Sequence, residues 1–141
     1  MSNYDTLMAY QRETEALSQV AGRLSWDQET MMPRGAAPQR AEESGAMQSV
    51  LHARRTDPRV AEWLDAAEGE ALSQAGEAQL RHIRRGLERA QKVPADLAAR
   101  IARKTALAQG IWAEARSEED PASFLPTLEE VVALRREEAS A

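Results

Sequence analysis

Residues 94–116 carry the feature that most constrains the fold, because their apolar positions recur at the spacing of a helix. A helix that begins at Pro94 and continues to about Arg116 spans roughly 33 Å at about 1.5 Å per residue, the width of a small domain. We predict that this is the longest helix of the chain and that other helices pack along it. Its apolar stripe comprises Leu97, Ile101, Ala108, Ile111, Trp112 and Ala115.

The other segments also have helical patterns, with little sign of the alternation of a strand. Hydrophobic residues make up 43% of the 141 residues, but aromatic residues only 4%, and alanine supplies much of the difference. Such a composition favours close-packed helices over a sheet. The sequence therefore predicts an all-α fold of about six helices in a bundle or array, with residues 1–141 as a single helical domain.

Proline, glycine and capping residues place the helix boundaries. Asp57 is typical of an N-cap and Pro58 of a first helical position, whereas the residue before Pro94 avoids the helical region. No stop signal follows the last helix, which predicts that the chain is part of a larger unit. The predicted helices cover about 4–24, 36–55, 58–75, 77–92, 94–116 and 127 onward, with a break at Gly76 and the connector "SEEDPASFLP" before the last.

The net charge of −5 is unevenly distributed, because residues 81–104 carry eight basic and two acidic side chains. This segment is either a phosphate-binding stripe or a basic helix paired with acidic neighbours, and the second interpretation is favoured. We expect no nucleic-acid partner.

The chain contains no cysteine, which excludes disulfides and thiolate metal sites. It also has no signal-peptide core and no apolar run near the roughly 18 residues of a membrane span. A cytoplasmic protein without a membrane partner is predicted.

Few residues are arranged for catalysis. His52 and His82 lie outside any H-E-x-x-H motif and among basic neighbours, so neither is predicted to bind a metal. The sequence "WDQET" allows two interpretations. Asp27 and Glu29 act as an acid/base pair beside Trp26, or Trp26 fills a gap in the core while Asp27 or Thr30 caps backbone groups at a turn. The second interpretation is favoured.

Two longer segments extend these observations, "LSWDQETMMPRGAAPQRAEESGAMQSVLH" and "IWAEARSEEDPASFLPTLEEVVALRREEA". Both resemble the N-terminal region of the carboxypeptidase Taq family of zinc metallocarboxypeptidases, and together they make the resemblance cover essentially the whole chain. The matching positions are Trp26, Asp27, Thr30, Met32, Pro33, Gly35, Arg40 and Glu43 in the first segment, and Trp112, Ala115, Arg116, Asp120, Phe124, Pro126 and Leu128 in the second.

The resemblance implies the N-terminal part of a larger, mostly helical enzyme with a deep groove, which releases C-terminal amino acids from peptides. In the family, zinc is bound by the two histidines of an H-E-x-x-H helix and a downstream glutamate, and the glutamate of the motif activates water. These motifs lie beyond residue 141, so no catalytic residue, zinc ligand or cofactor is assigned to this chain. We expect it to be inactive alone and to need the catalytic part for a peptide substrate.

By the same resemblance, the chain forms a wall or lid over the groove. Its supporting residues are then Trp26, Asp27, Thr30, Met32, Pro33, Arg40, Glu43, Trp112 and Arg116. An exposed apolar surface that promotes self-association is expected where the catalytic part packs. The alternative is a stand-alone helical module that binds a protein partner without catalysis.

Overall fold

The computed structural model describes residues 2–141, which form six α-helices and no strand. The predicted all-α class and the number of helices are confirmed. No helix among these residues has the length and apolar character needed to cross a membrane. The elements are α1 (Asn3–Thr30), a 3₁₀ turn (Arg34–Ala36), α2 (Ala37–Arg55), α3 (Pro58–Ala67), α4 (Gln74–Lys92), α5 (Ala95–Ser117) and α6 (Pro121–Ser140).

Helix α2 lies between α1 and α5 and runs antiparallel to both. Near one end of α2, Arg40 pairs with Asp27 of α1, and near the other end Arg54 bonds to the Tyr10 carbonyl. Along α5, Arg103 pairs with Glu42 at 3.2 Å, and the His52 ring lies 2.7 Å from the Val93 carbonyl. The three helices therefore form an antiparallel layer with α2 in the middle.

Helix α6 lies antiparallel on α5, at the edge of the molecule. Lys104 pairs with Glu130 at 2.5 Å, and Arg100 pairs with Glu137 at 3.0 Å. At the opposite edge, Arg84 of α4 pairs with Asp65 of α3 and with Glu68, which follows that helix. The basic segment 81–104 is therefore paired with acidic neighbours at several positions, as the favoured interpretation predicted.

The main hydrophobic core lies where α3 and α4 cover the N-terminal half of α1. Helix α3 forms because Asp57 caps it and Pro58 occupies its first turn, as predicted. Its apolar positions at i, i+4 and i+7 then face the core. The buried cluster comprises Leu7, Val60, Leu64, Ala67, Leu80 and Leu87.

Several predicted boundaries are wrong. Helix α1 does not end near Leu24 but continues to Thr30, because no helix breaker precedes Pro33. With 28 residues it is longer than α5, which has 23. Gly76 is not a break: it lies in the first turn of α4, capped by Ser73, and is buried against Tyr4 and Leu72.

The predicted connector before the last helix is shorter than expected. Asp120 caps α6 by accepting hydrogen bonds from the Ala122 and Ser123 amides, so the helix begins at Pro121 and includes Pro126. Pro126 lacks one amide, and this costs the helix a single backbone bond near its start. Glu119 ends α5 with φ of 55°, a left-handed position that usually carries glycine.

The glycines of the helices allow a matched prediction. Gly22 lies on the exposed side of α1 with no atom near its virtual Cβ, so Gly22→Ala should raise the free energy of unfolding by about 0.5–1 kcal/mol. At Gly45 the added Cβ would lie 2.7 Å from Arg103 Cγ, and Arg103 would have to move. Gly45→Ala should therefore not raise the free energy of unfolding. Urea unfolding of both variants measures the difference, and an equal gain at both positions would contradict it.

Candidate functional site at the α1–α2 junction

The side chain of Arg40 joins the last turns of α1 to the first turns of α2. It is 9% exposed and donates in three directions. Nη1 donates to the Leu24 carbonyl, Nη2 to Asp27 Oδ2 at 2.6 Å, and Nε to Glu43 Oε2 at 2.9 Å. These four residues form the Arg40 network.

Hydrogen bonds stabilise the charged form of Arg40. Hydrogen bonding to Asp27 raises the pKa of Arg40 above its ordinary value; burial opposes this increase, and the bond to Glu43 adds to it. Both carboxylate side chains stay 40% exposed, so water still solvates them. A guanidinium held in this way fixes the position of α1 on α2, which is a positioning role and not proton transfer.

Trp26, Asp27 and Thr30 do not take the places that the capping interpretation gave them. Trp26 is 64% exposed, so the prediction that it fills a core gap is wrong. Thr30 Oγ1 donates to the Trp26 carbonyl and caps no amide, and the Asp27 carboxylate is held by Arg40. Met32 is half-buried and Pro33 is exposed. The junction is therefore held by an interhelical ion pair, which the capping interpretation did not predict.

The acid/base interpretation of Asp27 and Glu29 also finds no support in the geometry. Positions two apart on a helix point in different directions. Asp27 faces Arg40, whereas Glu29 borders a cleft between α1, α2 and α5. The two carboxylates therefore do not share one site.

That cleft has a volume of about 360 Å³. Gln28 spans it, because its Nε2 donates to the Ala106 carbonyl of α5 at 2.7 Å. Gln48 and Gln109 add further amide groups to the lining, and Met47 adds an apolar surface. Amide groups of this kind can hydrogen-bond to the backbone of an extended peptide, and the residues that line the cleft include no histidine or cysteine. The sequence analysis did not select Gln28. The only signal for it is that positions 21, 24, 25 and 28 follow the i, i+3, i+4, i+7 spacing of one helix face and so border the same cleft.

Trp112 and Arg116 belong to a separate cleft at the α5–α6 turn and do not join the Arg40 network. This cleft has a volume of about 460 Å³ and is also bordered by Glu119 and Phe124. Trp112 is 48% exposed and Ile111 is 39% exposed, so these two members of the apolar stripe of α5 are not buried in the core. Helical periodicity identified their face, but no described element covers it.

Tyr10 organises a second polar cluster near the start of α3. Its hydroxyl lies 3.0 Å from Asp57 Oδ2, and its ring lies under the Arg54 guanidinium, 4.0 Å from ring centre to Cζ. Asp57 also accepts hydrogen bonds from the side chain and the backbone amide of Arg59, and bonding to the Arg59 side chain is the main reason that its pKa lies well below the ordinary range. Burial raises the pKa of Tyr10, and its hydrogen bond to Asp57 adds to this.

The depressed pKa of Asp57 predicts a pH dependence. The charged form contributes stability above the unfolded pKa near ~3.9, and this contribution is lost as the pH falls toward the lower folded value. Asp57→Asn keeps a good N-cap but removes the charge that bonds to Arg59. It should therefore lower the free energy of unfolding by roughly 1–2 kcal/mol at pH 7. The deficit should shrink below about pH 4, as measured by urea unfolding at several pH values. A deficit that stays constant with pH would contradict the charge-based explanation.

The residues that the structure describes do not offer a zinc site. The His52 Nε2 atom is engaged with the Val93 carbonyl, and His82 lies on α4 beside Arg55 in a shallow groove. No group of three or more histidine, aspartate or glutamate side chains within residues 2–141 is arranged to hold a metal ion. The donor set that the family resemblance implies, two histidines and a glutamate, is therefore not assembled among these residues.

Solved structures show which class of protein has this helical fold. The carboxypeptidase of Pyrococcus furiosus matches with a TM-score of 0.73 at 23% identity, over 99% of this chain and 28% of that chain. Metallocarboxypeptidase 1 of Trypanosoma cruzi matches with a TM-score of 0.71 at 29% identity, over 98% of this chain and 28% of that chain. The fold is that of one part of these helical carboxypeptidases.

Sequence comparison identifies the family. The profile of the carboxypeptidase Taq (M32) metallopeptidases matches residues 6–141, and the chain belongs to this family. Thermostable carboxypeptidase 1 of Thermus thermophilus is 39% identical over 140 residues, covering 96% of this chain and 28% of the relative. The Pyrococcus furiosus protein of the same name is 25% identical over 134 residues, covering 94% and 27%. The chain thus spans little more than a quarter of these relatives and corresponds to their N-terminal region.

Proposed function

We propose that residues 1–141 form the N-terminal helical wall or lid of a zinc-dependent metallocarboxypeptidase that releases C-terminal amino acids from peptides. The family match across residues 6–141 is the observation that carries this proposal. Because the described residues offer no metal-binding group, the proposal assigns hydrolysis to the longer protein and predicts that residues 1–141 are inactive alone. Zinc bound by the catalytic part would supply the Lewis-acid chemistry for this hydrolysis.

The role of this chain is then to hold one side of the groove in place. The Arg40 network fixes α1 on α2, and Gln28 ties α1 to α5 through the Ala106 carbonyl. The cleft between these helices presents amide groups that can hydrogen-bond to the backbone of a peptide. The peptide substrate is bound only together with the catalytic part, and the protein acts in the cytoplasm.

Peptide hydrolysis tests this proposal. A joined chain is made from residues 1–141 followed by the part of the Thermus thermophilus relative that lies downstream of the matched region. With added zinc or cobalt, the joined chain should release C-terminal amino acids from a peptide, and residues 1–141 should release none. Hydrolysis by residues 1–141 would contradict the proposed division of roles, and no hydrolysis by a folded joined chain would contradict the carboxypeptidase function.

An interaction module without catalysis is the second candidate. The observation that favours it is the pair of large apolar side chains at one turn, Trp26 at 64% exposure and Met31 at 71%. Exposed apolar groups of this size are frequent at protein–protein contacts. Two results together would support this function: a joined chain that folds but does not hydrolyse peptides, and residues 1–141 that remain monomeric.

A further inference from the structure

Helix α6 has apolar residues on two faces, and only one of them is covered. The inner face packs on α5 through Phe124, Thr127, Val131 and Leu134, of which Thr127 is 8% exposed. Leu125, Leu128 and Val132 lie at i, i+3 and i+7 on another face, and we name them the outer stripe of α6. They are 53%, 41% and 39% exposed.

The ion pairs of α6 show which way this helix faces. Glu130 and Glu137 point toward α5, where they pair with Lys104 and Arg100. The outer stripe lies away from these pairs, so α5 does not cover it. A surface helix ordinarily has one apolar face and a polar opposite face, whereas a helix with two apolar faces is typical of a position between two layers.

We propose that the outer stripe of α6 packs against an apolar helix face of the catalytic part in the longer protein. The inference rests on the proposed function, because it requires that a catalytic part exists. The chain spans 28% of the Thermus thermophilus relative, and the rest of a fold of that size must pack against some surface of this part. Burial of the three aliphatic side chains of the outer stripe would join the two parts.

A second copy of the chain is a poorer occupant of the outer stripe. A stable dimer buries about 800 Å² on each partner, far more than three partly exposed aliphatic side chains provide. Association of separate copies also costs several kcal/mol of translational and rotational freedom, which a covalently continuous chain does not lose. The stripe is therefore better suited to a contact within one chain than to a contact between chains.

Single thiols test the burial of the stripe directly, because residues 1–141 contain no cysteine. Leu128→Cys and Val132→Cys are made in residues 1–141 and in the joined chain, and reaction with a maleimide is followed at the α6 peptide by mass spectrometry. Ala66→Cys, on the exposed side of α3, is the matched control. Circular dichroism establishes that each variant is folded.

The expected result is that both α6 thiols react at least about tenfold more slowly in the joined chain than in residues 1–141, because thiol reactivity needs access. The Ala66→Cys thiol should differ by less than about twofold. Equal rates at the α6 positions would overturn the inference. Protection within residues 1–141 that disappears on dilution would also overturn it, because a second copy would then occupy the stripe.

This readout is independent of hydrolysis. Protected thiols in a folded joined chain that releases no amino acids would leave the packing surface in place and remove the carboxypeptidase function. Reactive thiols in an active joined chain would do the reverse. The failure of one proposal can therefore be distinguished from the failure of the other.

Discussion

Arg40→Met is expected to lower the free energy of unfolding of residues 1–141 by roughly 2–3 kcal/mol at pH 7. Methionine replaces much of the buried stem but leaves the Leu24 carbonyl, Asp27 and Glu43 without the guanidinium to which they bond. The value lies below the range for a fully buried ion pair, because both carboxylates are 40% exposed and regain water. Urea unfolding followed by circular dichroism measures the loss.

Arg55→Met is the matched control, since Arg55 is an exposed arginine of the same helix. It should change stability by less than about 0.5 kcal/mol. Combining Arg40→Met with Asp27→Asn should cost less than the sum of the two changes, because both remove the same interaction. Strict additivity of the two substitutions, or an equal loss for Arg55→Met, would show that the Arg40 network does not hold the junction.

The parts of the fold that the sequence predicted are those with local causes. Asp57 and Pro58 specify the start of α3 through a side-chain cap and a fixed backbone angle, both within two residues. The same locality explains why the stop before Pro94 was predicted correctly. Six helices could be counted because each carries a helical apolar pattern of its own.

The errors arose where a distant contact outweighs a local preference. Pro126 predicted a connector, but the Asp120 cap and the packing of Thr127 on α5 keep the helix intact around it. Gly76 predicted a break, yet it is buried in the first turn of α4, where this helix approaches Tyr4 of α1 and where an added Cβ would lie 3.2 Å from Leu72 Cβ. Helix α5, on which Thr127 packs, and Tyr4, which Gly76 approaches, belong to other helices. No local sequence pattern therefore contained this information.

The candidate site was predictable only in part. Asp27, Arg40 and Glu43 were selected through family resemblance, but the bond between Arg40 and Asp27 joins residues 13 apart on two helices and could not be read from the sequence. Trp112 shows a different limit. Its periodicity placed it on an apolar face, but periodicity does not reveal whether a partner covers that face. The other supporting roles remain predictions.

Leu64→Ala is expected to have the largest effect on stability, a loss of about 3–4 kcal/mol. Leu64 is 0% exposed and lies in the cluster that α1, α3 and α4 share. Removal of its branched end leaves a cavity, because the closely packed side chains around it can relax only in part. Thermal and urea unfolding should both show the loss.

Leu128→Ala is the matched comparison for Leu64→Ala, because it removes the same atoms from a side chain that is 41% exposed. A difference in stability between the two variants therefore reports burial. In residues 1–141 it should cost less than about 1 kcal/mol, since little buried surface is lost. In the joined chain the cost should rise toward that of a core leucine if the outer stripe of α6 is buried there. Equal costs for Leu64→Ala and Leu128→Ala in residues 1–141 would contradict the position of the core. A low cost at Leu128 in both chains would place the stripe in water.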